Sequence, residues 1–240
     1  MRIAIMGAME EEVLYLREYF QDRIRKETNG KKEYFLVKYD ENIELVITNS
    51  GIGKVFSTIV ATTLINHFEC DMLLFTGVAG GLKKGLKIGD IIIAESLCQH
   101  DLDITAFGHK PGYVPGLEIF TKCTKELKIL ATEVANKNEI KVSKGIIATG
   151  DQFIANKEKK DFVIDTFNAE AIEMEGASVA ATCNFYSTPF LIIRTISDTA
   201  DEEANVNFKE FLEKSAKISS DFIIKIIEEK AKKQRILKNL

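Results

Sequence analysis

Three acidic segments, far apart in the chain, carry the residue types for proton transfer. They are Gly7-Ala8-Met9-Glu10-Glu11-Glu12, Ile172-Glu173-Met174-Glu175-Gly176 and Arg194-Thr195-Ile196-Ser197-Asp198. Each ends a β-like run, the place where open α/β sheets collect ligands. Carboxylates meeting in such a crevice suit acid–base chemistry on a neutral or weakly basic substrate. Ser197-Asp198 has the sharpest reading. Adenine leaves an N-glycosidic bond poorly as an anion, and protonation of its ring at N7 makes it a good leaving group. A carboxylic acid does this when burial raises its pKa towards the working pH. Such an acid contributes on the order of 10²–10⁴ in rate. The other reading is that Ser197 or Asp198 only caps a helix.

Glu12 also reads two ways. With Glu10 and Glu11 it complements the dipole of a helix N-terminus, or it is a general base for a water attacking the anomeric carbon. Glu173 and Glu175 interrupt apolar surroundings, where unpartnered acids are expensive. Their partner is either an internal cation such as Arg194 or the vicinal hydroxyls of a bound ribose. A carboxylate on those hydroxyls also favours an oxocarbenium-like transition state. Two turns, Gly51-Ile52-Gly53-Lys54 and Gly77-Val78-Ala79-Gly80-Gly81, permit close backbone approach to a ligand but match no phosphate or dinucleotide fingerprint. Asp151-Gln152-Phe153-Ile154 puts an aromatic after a strand, suited to stacking on a base or to the core.

The elements that must position these residues follow from hydrophobic period. Residues 2–7 form a short apolar strand, and 9–22 have helical spacing, with Met9, Val13, Leu16 and Phe20 on one face. Residues 33–39 and 43–49 read as a hairpin through Asp40-Glu41-Asn42. A helix runs to His67, then come buried strands at 72–76 and 90–96. Residues 100–117 are polar and irregular, a long functional loop. A helix at 121–136, a strand at 141–149, a helix at 156–166, a strand end at 170–174 and an Ala-rich helix at 176–185 follow. The nearly all-apolar strand 189–196 belongs in mid-sheet. The last helix aligns Phe208, Phe211, Leu212, Ile218, Phe222, Ile223, Ile226 and Ile227 on one face. Strands alternating with helices predict a single three-layer α/β/α domain over 1–240, with a central mixed, twisted sheet.

The chain has 240 residues, enough for a real core, and 45% hydrophobic with 28% charged residues favours a globular class. A net charge of −4, basic only towards the C-terminus, argues against a nucleic-acid groove. No stretch is apolar enough to span a bilayer and no secretory signal is visible, so no membrane role is expected. Cys70, Cys98, Cys123 and Cys183 lack CxxC spacing and read as reduced thiols of a cytoplasmic protein. Cys98-Gln99-His100 supplies too few ligands for a metal. No metal and no cofactor is expected.

Taken together, residues 7–13, 50–55, 76–82, 103–108 (Asp-Ile-Thr-Ala-Phe-Gly), 149–154, 172–176 and 194–201 resemble the 5′-methylthioadenosine/S-adenosylhomocysteine nucleosidases of the purine nucleoside phosphorylase superfamily. The resemblance runs nearly end to end and is specific in combination. It implies a nucleoside phosphorylase-like fold and hydrolysis that releases adenine and a 5-thioribose, in methionine salvage and nucleoside catabolism. It implies that Glu12 activates water, with Arg194 holding that region. Asp198, beside Ser197, protonates N7 and binds the exocyclic amine. Glu175 takes the 2′ and 3′ hydroxyls, with Met174 against the sugar and Glu173 nearby. Phe153 stacks on adenine and the Ile154 backbone reads its edge. Val78, Ala79 and Gly80 line the pocket, and Met9, Ile52 and Phe208 receive the 5′-alkylthio group. The implied assembly is a homodimer in which Ile104, Phe107, His109 and Pro115 complete the neighbouring subunit's pocket. Two departures stand out. Val78 replaces a small hydroxyl residue and His109 replaces a Tyr found in some members, the latter bearing on how the outer 5′ pocket closes.

Two rivals remain at this point. A phosphorylase would need arginines or hydroxyls in the glycine turns to hold phosphate, and neither turn has an Arg. A non-catalytic nucleoside-binding protein could dispense with Glu12 or Asp198, and both are present. Sequence leaves open the preference among methylthioadenosine, S-adenosylhomocysteine, 5′-deoxyadenosine and 6-amino-6-deoxyfutalosine.

Overall fold

The computed structural model describes residues 1–116, 118–200 and 204–238. Leu117, at the end of the predicted loop, and Asp201, at the end of the 194–201 motif, lie outside them. Strand β1 (Arg2–Gly7) is the first rung of a mixed sheet. Helix α1 (Glu10–Tyr19) is shorter than its apolar period suggests, because a 3-10 turn at Gln21–Arg23 takes over. It feeds β2 (Ile24–Asn29), a polar edge strand with no apolar alternation to betray it. The predicted hairpin is β3 (Lys32–Lys38) and β4 (Glu44–Asn49), antiparallel, with the Asp40 carboxylate accepting the Asn42 and Ile43 N–H groups in the turn. Then come α2 (Lys54–Asn66), β5 (Met72–Phe75), β6 (Val78–Gly81) and β7 (Ile91–Gln99). The glycine turn after β5 is thus itself a strand. Residues 100–116 hold one 3-10 turn, Thr105–Phe107.

Further on are β8 (Thr121–Lys122), α3 (Lys125–Lys137), β9 (Val142–Thr149), α4 (Lys157–Phe167), β10 (Ala169–Glu173), α5 (Gly176–Phe185), β11 (Phe190–Asp198) and α6 (Ala204–Lys238). Residues 121–122 are strand rather than helix because Thr124 is the N-cap of α3. Asn156 caps α4, its side chain accepting the Lys159 N–H. Among the described residues the strand order is β2-β3-β4-β1-β5-β11-β6-β10-β9-β7-β8, with β11 also pairing β7. The sheet is mixed as expected, and helices flank it: α1, α3 and α6 pack together with β11, and α2 packs on α5.

Strand β11 organises the site. All nine of its residues are buried. Its first half pairs in parallel with β5 and its second half with β6. Between them the register slips: Ile196 faces Ala79, but Asp198 faces Gly80. Ser197 is therefore an extra residue, a bulge of the kind that re-aims a side chain at a strand end. The 35-residue α6 backs this region with small polar residues rather than the apolar face read from sequence. Ser215 Oγ donates to the Ile196 carbonyl, Ser219 Oγ bonds Thr76 Oγ1 and Ser220 Oγ donates to the Glu12 carbonyl. The apolar face is fully buried only from Phe222 to Ile227, whereas Phe208, Phe211, Leu212 and Ile218 are partly exposed. The four cysteines are free and buried, and burial pushes each thiol up to about 12. No described helix is long and apolar enough to cross a membrane.

Candidate active site

The three acidic segments converge. Glu12 comes from the first turn of α1, Glu173 and Glu175 from the end of β10, and Ser197 and Asp198 from the end of β11. All of these line one cavity of about 340 Å³. That volume suits a nucleoside-sized ligand. Its other lining residues are mainly apolar: Met9, Ile52, Val78, Ala79, Gly80, Met174, Phe153 and Phe208. Phe153 and Phe208 meet edge to face with centroids 5.7 Å apart. Ala8 and Ile172 also line the cavity. Sequence reasoning missed both, although each adjoins a residue it named.

Glu12 closes the start of its helix and also borders the cavity. Its Oε2 accepts the Ala8 and Met9 N–H groups at 2.5 and 3.0 Å, closing the helix N-terminus, and its Oε1 accepts Val78 N–H at 2.9 Å. The carboxylate is thus fixed between two chain segments and still borders the cavity. Burial raises its pKa above the ordinary 4.5, while the Arg194 charge and the three N–H groups limit the rise. A fixed carboxylate with an elevated pKa is the property set of a general base near neutral pH. The glycine at 77 is required for close approach, since a Cβ there would collide with Glu12 Oε1.

Glu173 and Glu175 differ in their partners: the internal cation Arg194 is taken by Glu173. Glu173 pairs with the buried Arg194 at 2.6 Å, takes the Thr149 hydroxyl and accepts Gly176 N–H at 2.8 Å. It borders the cavity with its oxygens engaged by the protein. Glu175 accepts Gly53 N–H on Oε1 at 2.8 Å, and its Oε2 has no hydrogen-bond partner among the described residues. Burial, then the neighbouring Glu173 charge, pushes Glu175 up to about 8, against the pull of Arg194 and the Gly53 N–H. A buried carboxyl poised this way gains from hydroxyl donors brought by a ligand. Arg194 does not line the cavity. Its guanidinium lies 4.1 Å from the Phe75 ring centroid and acts on Glu12 through space.

Asp198 is buried, with Oδ1 accepting Ala200 N–H at 2.9 Å and Oδ2 3.0 Å from Ser197 Oγ. Ser197 Oγ also reaches the Ala79 carbonyl at 3.5 Å. A hydroxyl can donate to a carboxylate or accept from a carboxylic acid. Ser197 thus partners Asp198 in either protonation state, giving the carbonyl its hydrogen when Asp198 carries one. A Cβ on Gly80 would lie 2.9 Å from Asp198 Oδ1, so the glycine lets the acid approach. Ile154 does not line the cavity: its side chain is buried with Val163, Phe167 and Ala200, anchoring the segment that presents Phe153.

The four loop residues expected to serve a neighbouring subunit lie outside this chain's own cavity. Phe107 is 81% exposed, and His109 stacks on Tyr113 with centroids 4.5 Å apart.

Residues 2–228 match the phosphorylase superfamily model. An aminodeoxyfutalosine nucleosidase of Campylobacter jejuni is 50% identical, covering 95% of this chain and 99% of its own. A 5′-methylthioadenosine/S-adenosylhomocysteine nucleosidase of Exiguobacterium is 39% identical over 94% of this chain and 97% of its own. A mutant of the Helicobacter pylori nucleosidase, solved with 5′-methylthioadenosine in its active site, superposes with a TM-score of 0.92 at 42% identity, covering 95% of this chain and 98% of that one. With buried carboxylates converging on a nucleoside-sized cavity and relatives along nearly its whole length, this chain belongs to the methylthioadenosine/S-adenosylhomocysteine nucleosidase family of the phosphorylase superfamily and is an N-glycosidase.

Proposed function

We propose that the protein hydrolyses the N-glycosidic bond of 5′-methylthioadenosine, S-adenosylhomocysteine and 6-amino-6-deoxyfutalosine, releasing adenine. The observation that carries this reading is the placement of Glu12, Glu175 and Asp198 on one otherwise apolar cavity. Adenine lies against Phe153, with Asp198 at N7 and the exocyclic amine. The ribose hydroxyls meet Glu175. The 5′ group points towards Met9, Ile52 and Phe208. As the C1′–N9 bond breaks, Asp198 gives its proton to N7 and becomes a carboxylate. Water adds to C1′ and gives its proton to Glu12. One water is consumed, and proton exchange with solvent returns Glu12 to its carboxylate and Asp198 to its acid form. The negative charge at Glu12 favours the cationic sugar, and Glu175 adds to it once the ribose hydroxyls donate to its carboxylate and stabilise the ionised form. The third substrate is supported by the 50% identical relative named for it.

The site is composite, and the active form is a homodimer. Ile52, Val55, Phe56 and Ile59 present an exposed apolar row beside the cavity mouth. Ile52, Phe56 and Ile59 border a groove of about 910 Å³ that shares Ala8, Met9 and Ile52 with the cavity. An exposed Phe107 on one subunit and an uncovered apolar mouth on the other are complementary. The protein acts in the cytoplasm as one domain, without metal or cofactor.

The test is kcat/KM for adenine release from the three substrates and from 5′-deoxyadenosine, with 5′-methylthioinosine as control. Efficient cleavage of the three and poor cleavage of the 6-oxo control support the reading. Equal cleavage of the inosine analogue contradicts the assignment of Asp198 to the exocyclic amine.

A further inference from the structure

The Glu175 carboxyl receives its only protein hydrogen bond among the described residues from Gly53, which caps the start of α2 and whose carbonyl accepts the Ser57 N–H and Oγ at 3.2 and 2.9 Å. Ile52 beside it is more than half exposed. Gly53 has a φ of 95°, in the region that favours glycine. The peptide that follows this donor is further anchored from outside the cavity. The next residue is fixed. Lys54 N–H donates to Asp151 Oδ1 at 2.8 Å, Asp151 N–H donates to Asp101 Oδ2 at 2.8 Å, and the Lys54 ammonium donates back to Asp101 Oδ1 at 2.7 Å. These bonds close a ring across three segments: the start of α2, the residues after β7 and the residues after β9. Gln99 Oε1 also accepts from the ammonium, at 3.2 Å.

Exposed ion pairs contribute little. This one is different in setting, with the Lys54 and Asp101 side chains only 18% and 9% exposed. Burial alone would raise Asp101; the Lys54 ammonium and the Asp151 N–H hold it below its ordinary value instead. The ring also closes directly on the glycine: a Cβ at Gly53 would lie 2.9 Å from Asp151 Oδ1. Asp151 stands two residues before Phe153, so the aromatic wall and the Glu175 donor share one frame. None of Lys54, Asp101 and Asp151 lines the cavity.

We propose that Lys54, Asp101 and Asp151 form a positioning latch that holds Gly53 N–H on Glu175 and so sets that carboxylate against the sugar hydroxyls. This rests on the reading that Glu175 binds the ribose. The latch acts on how the enzyme reads the sugar, through Glu175, and not on the base or on proton delivery.

The experiment is a double-mutant cycle of Lys54→Met and Glu175→Gln, read as the ratio of kcat/KM for 5′-methylthioadenosine over its 2′-deoxy counterpart. Lys54→Met is expected to lower the ratio about tenfold, equivalent to ~1.4 kcal/mol, and to change it less than twofold in the Glu175→Gln background. Lys54→Arg restores most of the ratio. Equal losses on both substrates, or additive effects of the two substitutions, overturn the latch. If Glu175→Gln lowers the ratio and Lys54→Met does not, the latch alone fails. If Glu175→Gln leaves the ratio unchanged, the sugar assignment fails and the latch falls with it. Thermal melts check folding at the assay temperature, and Asp101→Asn runs through the same cycle with the same expected and contrary results should Lys54→Met not fold.

Discussion

Glu175→Gln is expected to stabilise the ligand-free protein while impairing its catalysis. The carboxyl titrates at about 8 in the folded chain against an ordinary 4.5. Below 4.5 both folded and unfolded chains hold the proton, and the group contributes no pH dependence. Between 4.5 and about 8 the folded chain keeps a proton that the unfolded chain has released. Stability therefore falls with rising pH, by ~1.36 kcal/mol per unit from this group. Above about 8 the slope ends, with the full penalty in place. Across that window the ceiling is ~5 kcal/mol. Gln keeps an oxygen for Gly53 N–H but brings an amide NH₂ towards the empty cavity, which returns ~1–3 kcal/mol. A net gain of ~2–4 kcal/mol remains, and at ~2–4 °C per kcal/mol for a chain of this size the melting temperature rises by roughly 4–16 °C. The assay is thermal unfolding of both proteins from pH 5 to pH 9 without ligand. The difference in Tm should be near zero or negative at pH 5 and grow to its maximum above pH 8. A difference independent of pH, or one largest in acid, refutes the assignment of a buried, proton-retaining Glu175.

Asp198→Asn should bind 5′-methylthioadenosine and keep its melting temperature, yet lose on the order of 10²–10⁴ in kcat; near-normal adenine release would remove Asp198 from the acid role. Glu12→Gln should fold and bind but turn over very slowly, and in the wild type kcat/KM should fall on the acid side at a pH above the ordinary 4.5, because burial raises the group that must be unprotonated. An unchanged acid limb in Glu12→Gln would place the base elsewhere. Gly77→Ala should cut kcat at least ~100-fold by pushing Glu12 off Val78 N–H, consistent with the steep dependence of rate on positioning; wild-type turnover would show that Glu12 tolerates displacement. Two-tag heterodimers of one Phe107→Ala and one Asp198→Asn subunit should retain about half the wild-type activity, because one site is intact if the loop acts on the neighbour and the damage falls on the other. No intact-site activity would mean that Phe107 serves its own subunit.

The sequence was most legible where function and local structure use the same residue. Glu12 lies where a helix starts and Asp198 where a buried strand ends, so the pattern that located the elements also located the acids. Helix α5 matches its expected bounds, and β11 was marked by its nearly all-apolar run. Strands β2, β6 and β8 were not legible: β2 is a polar edge, β6 is a run of Val-Ala-Gly-Gly, and β8 has two residues. Their pairing comes from neighbours distant in sequence. The division of labour between Glu173 and Glu175 was likewise hidden. It depends on which of them Arg194 reaches from the adjacent region of the sheet. The serines of α6 broke the apolar pattern without announcing that they hold Gly77 and Glu12 from behind. Lys54 and Asp151 stood in segments the sequence singled out, but nothing in their spacing shows that Asp101 joins them.

The most direct test is adenine release from 5′-methylthioadenosine by the purified protein as phosphate is varied from zero upwards, with the sugar product identified by mass. Hydrolysis through Glu12 and Asp198 predicts a rate independent of phosphate and a free 5-methylthioribose. A rate that vanishes without phosphate, with a sugar 1-phosphate as product, would contradict it.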